Sequence, residues 1–283
     1  RPMRALFLIP GDGVSQLQAF PAVAATADQL GFAIQVACLA AQAPIWALLP
    51  AVEKVIPFAY GDATLADWAN LLGSVREPDF QAAINLAPGR QMDLMLSMSH
   101  IPTRLASGGF SATETVALPT GLWPAQALAS LLRPVGVSLD APAFRLPLAP
   151  ALLAEGVAAL PAGEGPMLLL APAGGLADWP AERWQGLPDR IRTTLPALRT
   201  AVAPPLTPAT AAKRAALVAA ADVVLASDQP TVELALLCGT PVVALGRAAD
   251  SLPVRAGVQG LGAAGDLDQL RDEAVLQALG LAA

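Results

Sequence analysis

Three loops between apolar segments carry acidic or hydroxyl side chains just before a helix, and two of them also contain glycines. Such loops can bind an anion through free backbone N–H groups or place a carboxylate as a general base. The first runs from Pro10 to Gln16 and contains Asp12 and Ser15. It lacks the complete G-x-G-x-x-G spacing, so a tight turn with Asp12 or Ser15 as helix cap is the simpler interpretation.

The second loop runs from Ala171 to Pro180 and carries Gly174 and Gly175. A glycine-rich loop between a strand and a helix could hold a phosphate. No Lys or Arg lies within it, and Arg183 is the first cation that follows. A connecting turn therefore explains these residues equally well.

The third loop joins an apolar strand to a helix and contains Asp228, Gln229 and Thr231. Asp228 could bind a sugar hydroxyl, although it would also serve as a helix cap. Glu233 lies in the first turn of the next helix, where a carboxylate complements the helix dipole. These residues are candidates for binding a donor substrate, with capping as the structural alternative.

Histidine and cysteine are too scarce for most metal or redox chemistry. The chain has one histidine, His100, and two cysteines, Cys38 and Cys238. A zinc or disulfide framework needs more such residues, and a catalytic histidine needs partners that this sequence does not show. We expect buried free thiols, a structural or surface role for His100, and no metal or other cofactor.

Composition excludes two broad classes of protein. Of the 283 residues, 54% are hydrophobic and 14% are charged, so general disorder is excluded. The formal net charge of −6 argues against a nucleic-acid-binding protein, which would normally carry a basic excess. The longest uncharged run, 29–52, is interrupted by glutamine and proline, so a strand and a short helix are expected there and not a transmembrane segment. No signal peptide is recognised, and the expected location is the cytoplasm.

Short apolar runs alternate with helical segments and predict an α/β fold with parallel strands. Strands are predicted at 3–9, 32–39, 52–58, 79–86, 166–171, 222–226 and 241–245. The alternation stops after a single helix predicted at 121–136 and resumes near 166. We therefore expect two Rossmann-like domains that face each other across a cleft, 1–140 and 166–283, joined by a linker, 141–165, that contains one short helix.

Four segments resemble glycosyltransferase family 9, the heptosyltransferase family of lipopolysaccharide synthesis. They are MRALFLIPGDGVSQLQAFPAV, DFQAAINLAPGRQMDLMLSMSHIPTRLASGGF, LLLAPAGGLADWPAERW and AALVAAADVVLASDQPTVELALLCGTPVVALG. The last segment is the strongest match, and the resemblance covers nearly the whole chain. It implies a GT-B-like fold, with the acceptor on the N-terminal domain and a nucleotide-sugar on the C-terminal one.

The sequence departs from the family at positions where transfer chemistry is expected. Ser15 stands where the family carries the aspartate proposed as the base, and Asp12 lies three residues earlier. Ala177 replaces a lysine expected to face the donor diphosphate. Pro230 replaces a glycine, and Glu233 replaces a histidine and is expected to repel a phosphate. Each change weakens base catalysis or anion binding.

These departures predict a glycosyltransferase-like protein with a degenerate active site, little or no glycosyl transfer, and a role in binding or assembly. The alternative is an active inverting enzyme that moves a sugar from a nucleotide-sugar to a bacterial surface glycan or a lipid-linked acceptor. The stretch 191–212 is too short for the strand, helix and strand that the resemblance implies there, so a shortened C-terminal domain is expected. A nucleotide-sugar and a protein are the partners to test, and the resemblance adds the inner-membrane surface as a location.

Overall fold

The computed structural model describes residues 2–281, which form two compact units, one ending at Phe144 and the other beginning at Arg145. The strands are β1 (Arg4–Leu8), β2 (Ala33–Cys38), β3 (Val52–Pro57), β4 (Ala82–Asn85), β5 (Thr103–Ala106), β6 (Glu114–Thr115), β7 (Met167–Ala171), β8 (Arg199–Val202), β9 (Val223–Ala226), β10 (Val242–Leu245) and β11 (Val258–Leu261). The helices are α1 (Gly13–Gln18), α2 (Phe20–Leu30), α3 (Leu65–Arg76), α4 (Arg90–Met98), α5 (Pro124–Ala127), α6 (Ala129–Leu132), α7 (Pro150–Ala159), α8 (Ala181–Arg192), α9 (Ala211–Ala220), α10 (Gln229–Cys238) and α11 (Asp272–Ala278).

The first unit contains a six-stranded parallel sheet in the order β3-β2-β1-β4-β5-β6. The four strands predicted for this half are confirmed: β1, β2 and β4 are buried almost throughout, and β3 is a partly exposed strand at the sheet edge. Strands β5 and β6 are short and were not predicted. The single helix predicted at 121–136 is wrong, because the chain forms two short helices that meet at Leu128.

The second unit contains a five-stranded parallel sheet in the order β11-β10-β9-β7-β8. Strand β8 pairs with β7 within the stretch 191–212, where the sequence analysis expected a strand to be missing. That expectation of a missing strand is wrong. The strand is hard to predict because its four residues, RTAV, are only partly buried at the sheet edge and are followed by two prolines.

Helix α7 lies in the segment assigned to a linker and packs against α9. The packing is close at Gly156, where an added Cβ would lie 2.2 Å from the backbone oxygen of Ala216. The residues from Arg145 onward therefore belong to the compact second unit. No helix within residues 2–281 is both long and apolar enough to cross a bilayer.

Each sheet reverses its strand order at one point, and ligands of open α/β sheets bind beyond the carboxyl ends of the strands at such a point. In the first sheet the reversal lies between β1 and β4, and in the second it lies between β7 and β9. The loop with Asp12 follows β1. The loops with Gly174 and Asp228 follow β7 and β9, so the topology brings these two predicted loops together.

Candidate functional site

Gln16 holds the first loop in place. Its buried side-chain nitrogen donates to the backbone oxygens of Ile9 and Gly11 over 3.1 and 3.2 Å. Its side-chain oxygen accepts a hydrogen bond of 2.8 Å from the indole nitrogen of Trp46. The loop is also tightly turned at Gly11, where φ is +98° and an added Cβ would lie 2.7 Å from the Ser15 hydroxyl oxygen. The backbone after β1 is therefore positioned by a residue that motif reasoning did not single out.

The structure places the two predicted catalytic residues of this loop on the same short helical turn. Asp12 is the N-cap of α1, is exposed, and makes no side-chain capping hydrogen bond. Ser15 is half-buried and lines a cavity of about 200 Å³ with Pro10 and Leu86, at the carboxyl ends of β1 and β4. No acidic or basic side chain lines the cavity that contains Ser15, so the Asp12 carboxylate is the candidate base within this loop.

Backbone N–H groups of the second loop are already used within the protein. Asp178 is buried, and its carboxylate accepts hydrogen bonds from the N–H groups of Gly174 and Trp179 over 2.9 and 2.7 Å. The N–H of Ala173 donates to the hydroxyl of Ser227 over 2.9 Å, which joins the second loop to the third. The Asp178 carboxylate thus occupies part of the loop that was a candidate for phosphate binding.

Asp228 is 6% exposed and is engaged by groups of its own unit. One carboxylate oxygen accepts from the Thr231 hydroxyl over 2.6 Å and from the Leu206 N–H over 3.1 Å. The same oxygen lies 3.7 Å from the guanidinium of Arg214, which is itself 4% exposed and donates to Thr231 over 2.6 Å. Burial lowers the pKa of Arg214, and the charge of Asp228 opposes that shift.

This network also accounts for Thr231, which is completely buried. Leu206 lies on the loop after β8 and Arg214 lies on α9, so Asp228 ties three neighbouring elements together. Asp228 and Thr231 were predicted to bind a donor substrate. The structure instead brings them together inside the unit, as a buried ionic and hydrogen-bonded cluster.

Glu233 is fully buried on α10 and forms an ion pair of 3.2 Å with Arg247. Arg247 follows β10, and its guanidinium also donates to the side-chain oxygen of Gln229 over 3.2 Å and to Ser251. The amide nitrogen of Gln229 donates to the backbone oxygens of Ser227 and Leu245. The negative charge of Glu233 is therefore compensated, contrary to the expectation of an open charge that repels a phosphate.

Sequence reasoning missed Gln16, Asp178, Arg214 and Arg247, all of which position these loops. Arg247 follows a predicted strand directly, so its place at a strand end was a usable signal. Arg214 lies within a helix of mostly alanines, and nothing in the sequence indicates that it contacts Asp228. Ion pairs between elements distant in sequence become visible only in the tertiary structure.

His100 is exposed at the end of α4 with a φ of +63°, and no described contact gives it a catalytic partner. Burial raises the pKa of the Cys38 and Cys238 thiols to about 12. Within residues 2–281, no group of three or more His, Cys, Asp or Glu side chains is arranged to hold a metal ion. The two cysteines are free.

Comparison with protein-family models and with curated protein sequences finds no match. Solved structures match over nearly the whole chain. An ADP-heptose lipopolysaccharide heptosyltransferase II from E. coli is 16% identical, with 98% of each chain covered and a TM-score of 0.71. A glycosyl transferase family 9 structure from Veillonella parvula is 13% identical, with 98% of this chain and 96% of that chain covered and a TM-score of 0.76.

A third match is the E. coli heptosyltransferase WaaC with ADP-2-deoxy-2-fluoro heptose, which is 16% identical over 98% of this chain and 99% of that chain, with a TM-score of 0.69. The expected fold class is confirmed by these similarities, because they extend through both sheets. The chain therefore has the α/β, GT-B-like fold that it shares with heptosyltransferases and family 9 glycosyltransferases.

Proposed function

We propose that this protein is a glycosyltransferase-like binding or assembly protein with little or no glycosyl transfer activity. The observation that carries the proposal is the buried network around Asp228. One carboxylate oxygen of the buried Asp228 accepts hydrogen bonds from Thr231 and Leu206 and faces the Arg214 guanidinium, so the lone pairs of that oxygen are not available to a sugar hydroxyl. The cytoplasm, with the inner-membrane surface as a place of action, is part of the same proposal.

The second loop supports this conclusion. A sugar diphosphate carries negative charge that a transferase must compensate as the leaving group departs. The segment from Ala171 to Pro180 contains no cation, and Asp178 already accepts two of its backbone N–H groups. Arg247 is a neighbouring cation, but Glu233 and Gln229 accept its hydrogen bonds.

Calorimetric titration with ADP, UDP and their sugar conjugates at millimolar concentration tests the proposal. We expect no saturable binding and no release of nucleoside diphosphate. Saturable binding together with sugar transfer would overturn it.

A gain-of-function variant sharpens this test. Ser15→Asp with Ala177→Lys restores a carboxylate and a cation at positions that are not buried. We leave Glu233 unchanged, because a histidine there would break its buried ion pair with Arg247. The variant should gain measurable nucleotide binding. A matched control carries Ser15→Asp with Ala154→Lys, which adds the same charges with the lysine placed on exposed α7.

A second candidate function is active inverting transfer from a nucleotide-sugar to a surface glycan or lipid-linked acceptor. Asp12 favours it, because its exposed carboxylate has no capping hydrogen bond and lies beyond the end of β1. In this mechanism Asp12 would accept the proton of the acceptor hydroxyl. The variant Asp12→Asn should then lower kcat by about a hundredfold or more, while the melting temperature stays unchanged.

A further inference from the structure

An apolar groove of about 340 Å³ lies between α3 and α4 in the first unit. Its lining includes Leu65, Leu72, Leu94 and Met98. Leu65 is 86% exposed, and Leu94 and Met98 are 52% and 54% exposed. Large apolar side chains grouped in this way on a surface are typical of a ligand or partner site.

The groove continues into the carboxyl edge of the first sheet. Trp68 and Gln91 line both the groove and a neighbouring cavity of about 440 Å³. Pro10 and Leu86 line that neighbouring cavity and also the cavity that contains Ser15. An extended molecule in the groove would therefore reach the loop that follows β1.

The junction between the groove and the edge cavity offers hydrogen-bond donors. The indole nitrogen of Trp68 is buried and has no hydrogen-bond partner within the described residues. Arg90 lines the edge cavity, is exposed, and forms no ion pair within residues 2–281. The hydroxyl of Tyr60, on the same cavity, already donates to the backbone oxygen of Ala37 over 2.7 Å.

The edge cavity contains no acidic side chain. Asp93, the acid nearest to Arg90 in sequence, lines the adjacent cavity on the other side of Arg90, where its carboxylate accepts a short hydrogen bond of 2.5 Å from Ser111. A group rich in acceptor oxygens therefore fits between Arg90 and Trp68.

We propose that the α3–α4 groove and the edge cavity together bind a single-chain amphiphile with an anionic head group. The alkyl chain lies between Leu65, Leu94 and Met98, and the head group accepts hydrogen bonds from Arg90 and from the indole N–H of Trp68. The groove is apolar, and the cavity that adjoins it offers hydrogen-bond donors. One amphipathic molecule therefore fits the two together better than a uniformly apolar partner does. The site lies within the first unit alone, so it holds whether or not the protein transfers a sugar.

Titration of the full chain with octyl, decyl and dodecyl phosphate, each below its micelle concentration, tests this site. Affinity should rise by up to about fourfold for each added methylene group, because each one is removed from water. Inorganic phosphate should not bind measurably. No binding of dodecyl phosphate, or no dependence on chain length, would overturn the proposal.

Surface variants distinguish the two halves of the site. Leu94→Gln should weaken dodecyl phosphate binding by about tenfold and flatten the chain-length dependence. Arg90→Gln should weaken all three alkyl phosphates by a similar factor and leave the binding of uncharged octyl glucoside unchanged. The control Leu153→Gln, at an exposed leucine of α7, should bind as the unmodified chain does.

Light scattering tests the other occupant of the groove, a second copy of this chain. If Leu94→Gln abolishes a dimer that dodecyl phosphate does not disturb, the groove is a self-association surface and the amphiphile proposal is wrong. If the chain stays in one oligomeric state while Leu94→Gln loses the amphiphile, the proposal is supported. Thermal melting checks that each variant is folded. We expect melting temperatures close to that of the unmodified chain, because the side chains of Leu94 and Arg90 are exposed.

Discussion

Arg214 and Asp228 form a buried ion pair with 3.7 Å between a guanidinium nitrogen and a carboxylate oxygen. Both are less than a tenth exposed, and Thr231 hydrogen-bonds to each of them. The relationship gives a structural role to the acidic residue that a family resemblance assigns to donor binding. A cation from α9 and a carboxylate at the start of α10 hold the second sheet's loops together.

Replacing Arg214 with methionine should destabilise the protein by about 3 kcal/mol, because it leaves the carboxylate of Asp228 buried without its cation. Urea denaturation followed by far-UV circular dichroism measures the loss. Arg192→Met is the control, since Arg192 is 38% exposed and faces the 89% exposed Asp189 at 3.5 Å. Arg192 otherwise makes only long hydrogen bonds of 3.3 and 3.4 Å to Thr200 and Leu198. That control should cost less than about 1 kcal/mol. Equal losses in the two variants would contradict a structural role for the buried pair.

Gln16 and Trp46 should be energetically coupled, because the side-chain oxygen of Gln16 accepts the buried indole N–H. Gln16→Leu should cost about 2 kcal/mol, since it also leaves the backbone oxygens of Ile9 and Gly11 without their donor. A double-mutant cycle with Trp46→Phe should show a coupling energy of about 1 kcal/mol. Additive losses would mean that the hydrogen bond contributes nothing to stability.

Gly11→Ala should destabilise the first loop by about 2 kcal/mol. The backbone at this position has a positive φ, and the new Cβ would lie 2.7 Å from the Ser15 hydroxyl oxygen. Gly31→Ala separates the strain of a positive φ from the effect of a close contact, because Gly31 also has a positive φ but no atom lies within 4 Å of an added Cβ. This control should cost only about 1 kcal/mol. Thermal and urea unfolding of both variants provide the comparison.

The free energy of unfolding should fall in alkaline solution, because the Cys38 thiol loses its proton at a lower pH in the unfolded chain than in the folded protein. Burial raises the pKa of Cys38 from 9.0 to about 12, so the folded protein retains this proton longer than the unfolded chain. The stabilisation is complete below pH 9 and is lost between pH 9 and about 12, at up to about 1.4 kcal/mol per pH unit. Unfolding free energies of the unmodified chain and of Cys38→Ala, compared over pH 8–10.5, should show a shallower slope in the variant. Parallel slopes would contradict the prediction.

Predictions for the fold succeeded where the signal is local. The runs around Phe7, Val36 and Leu169 are almost entirely apolar, with Gln35 as an exception, because these strands are buried on both faces, and such runs can be recognised in one chain. Strands β5, β6, β8 and β11 were missed, since short strands of two to four residues that are partly exposed leave little apolar pattern. The exit from β1 was located correctly, but the role of Gln16 was not, because its partner Trp46 lies thirty residues away.

The sequence by itself determined the α/β alternation, the three loops and the resemblance that led to the fold, because each depends on residues close together in the chain. Only the tertiary structure decided what those loops contain. It paired Asp228 with Arg214 and Glu233 with Arg247, and it left Asp12 exposed. The sequence shows which residues carry a carboxylate, but not whether that carboxylate faces solvent or a guanidinium group. What it can bind depends on charges and burial that distant segments supply when the chain folds.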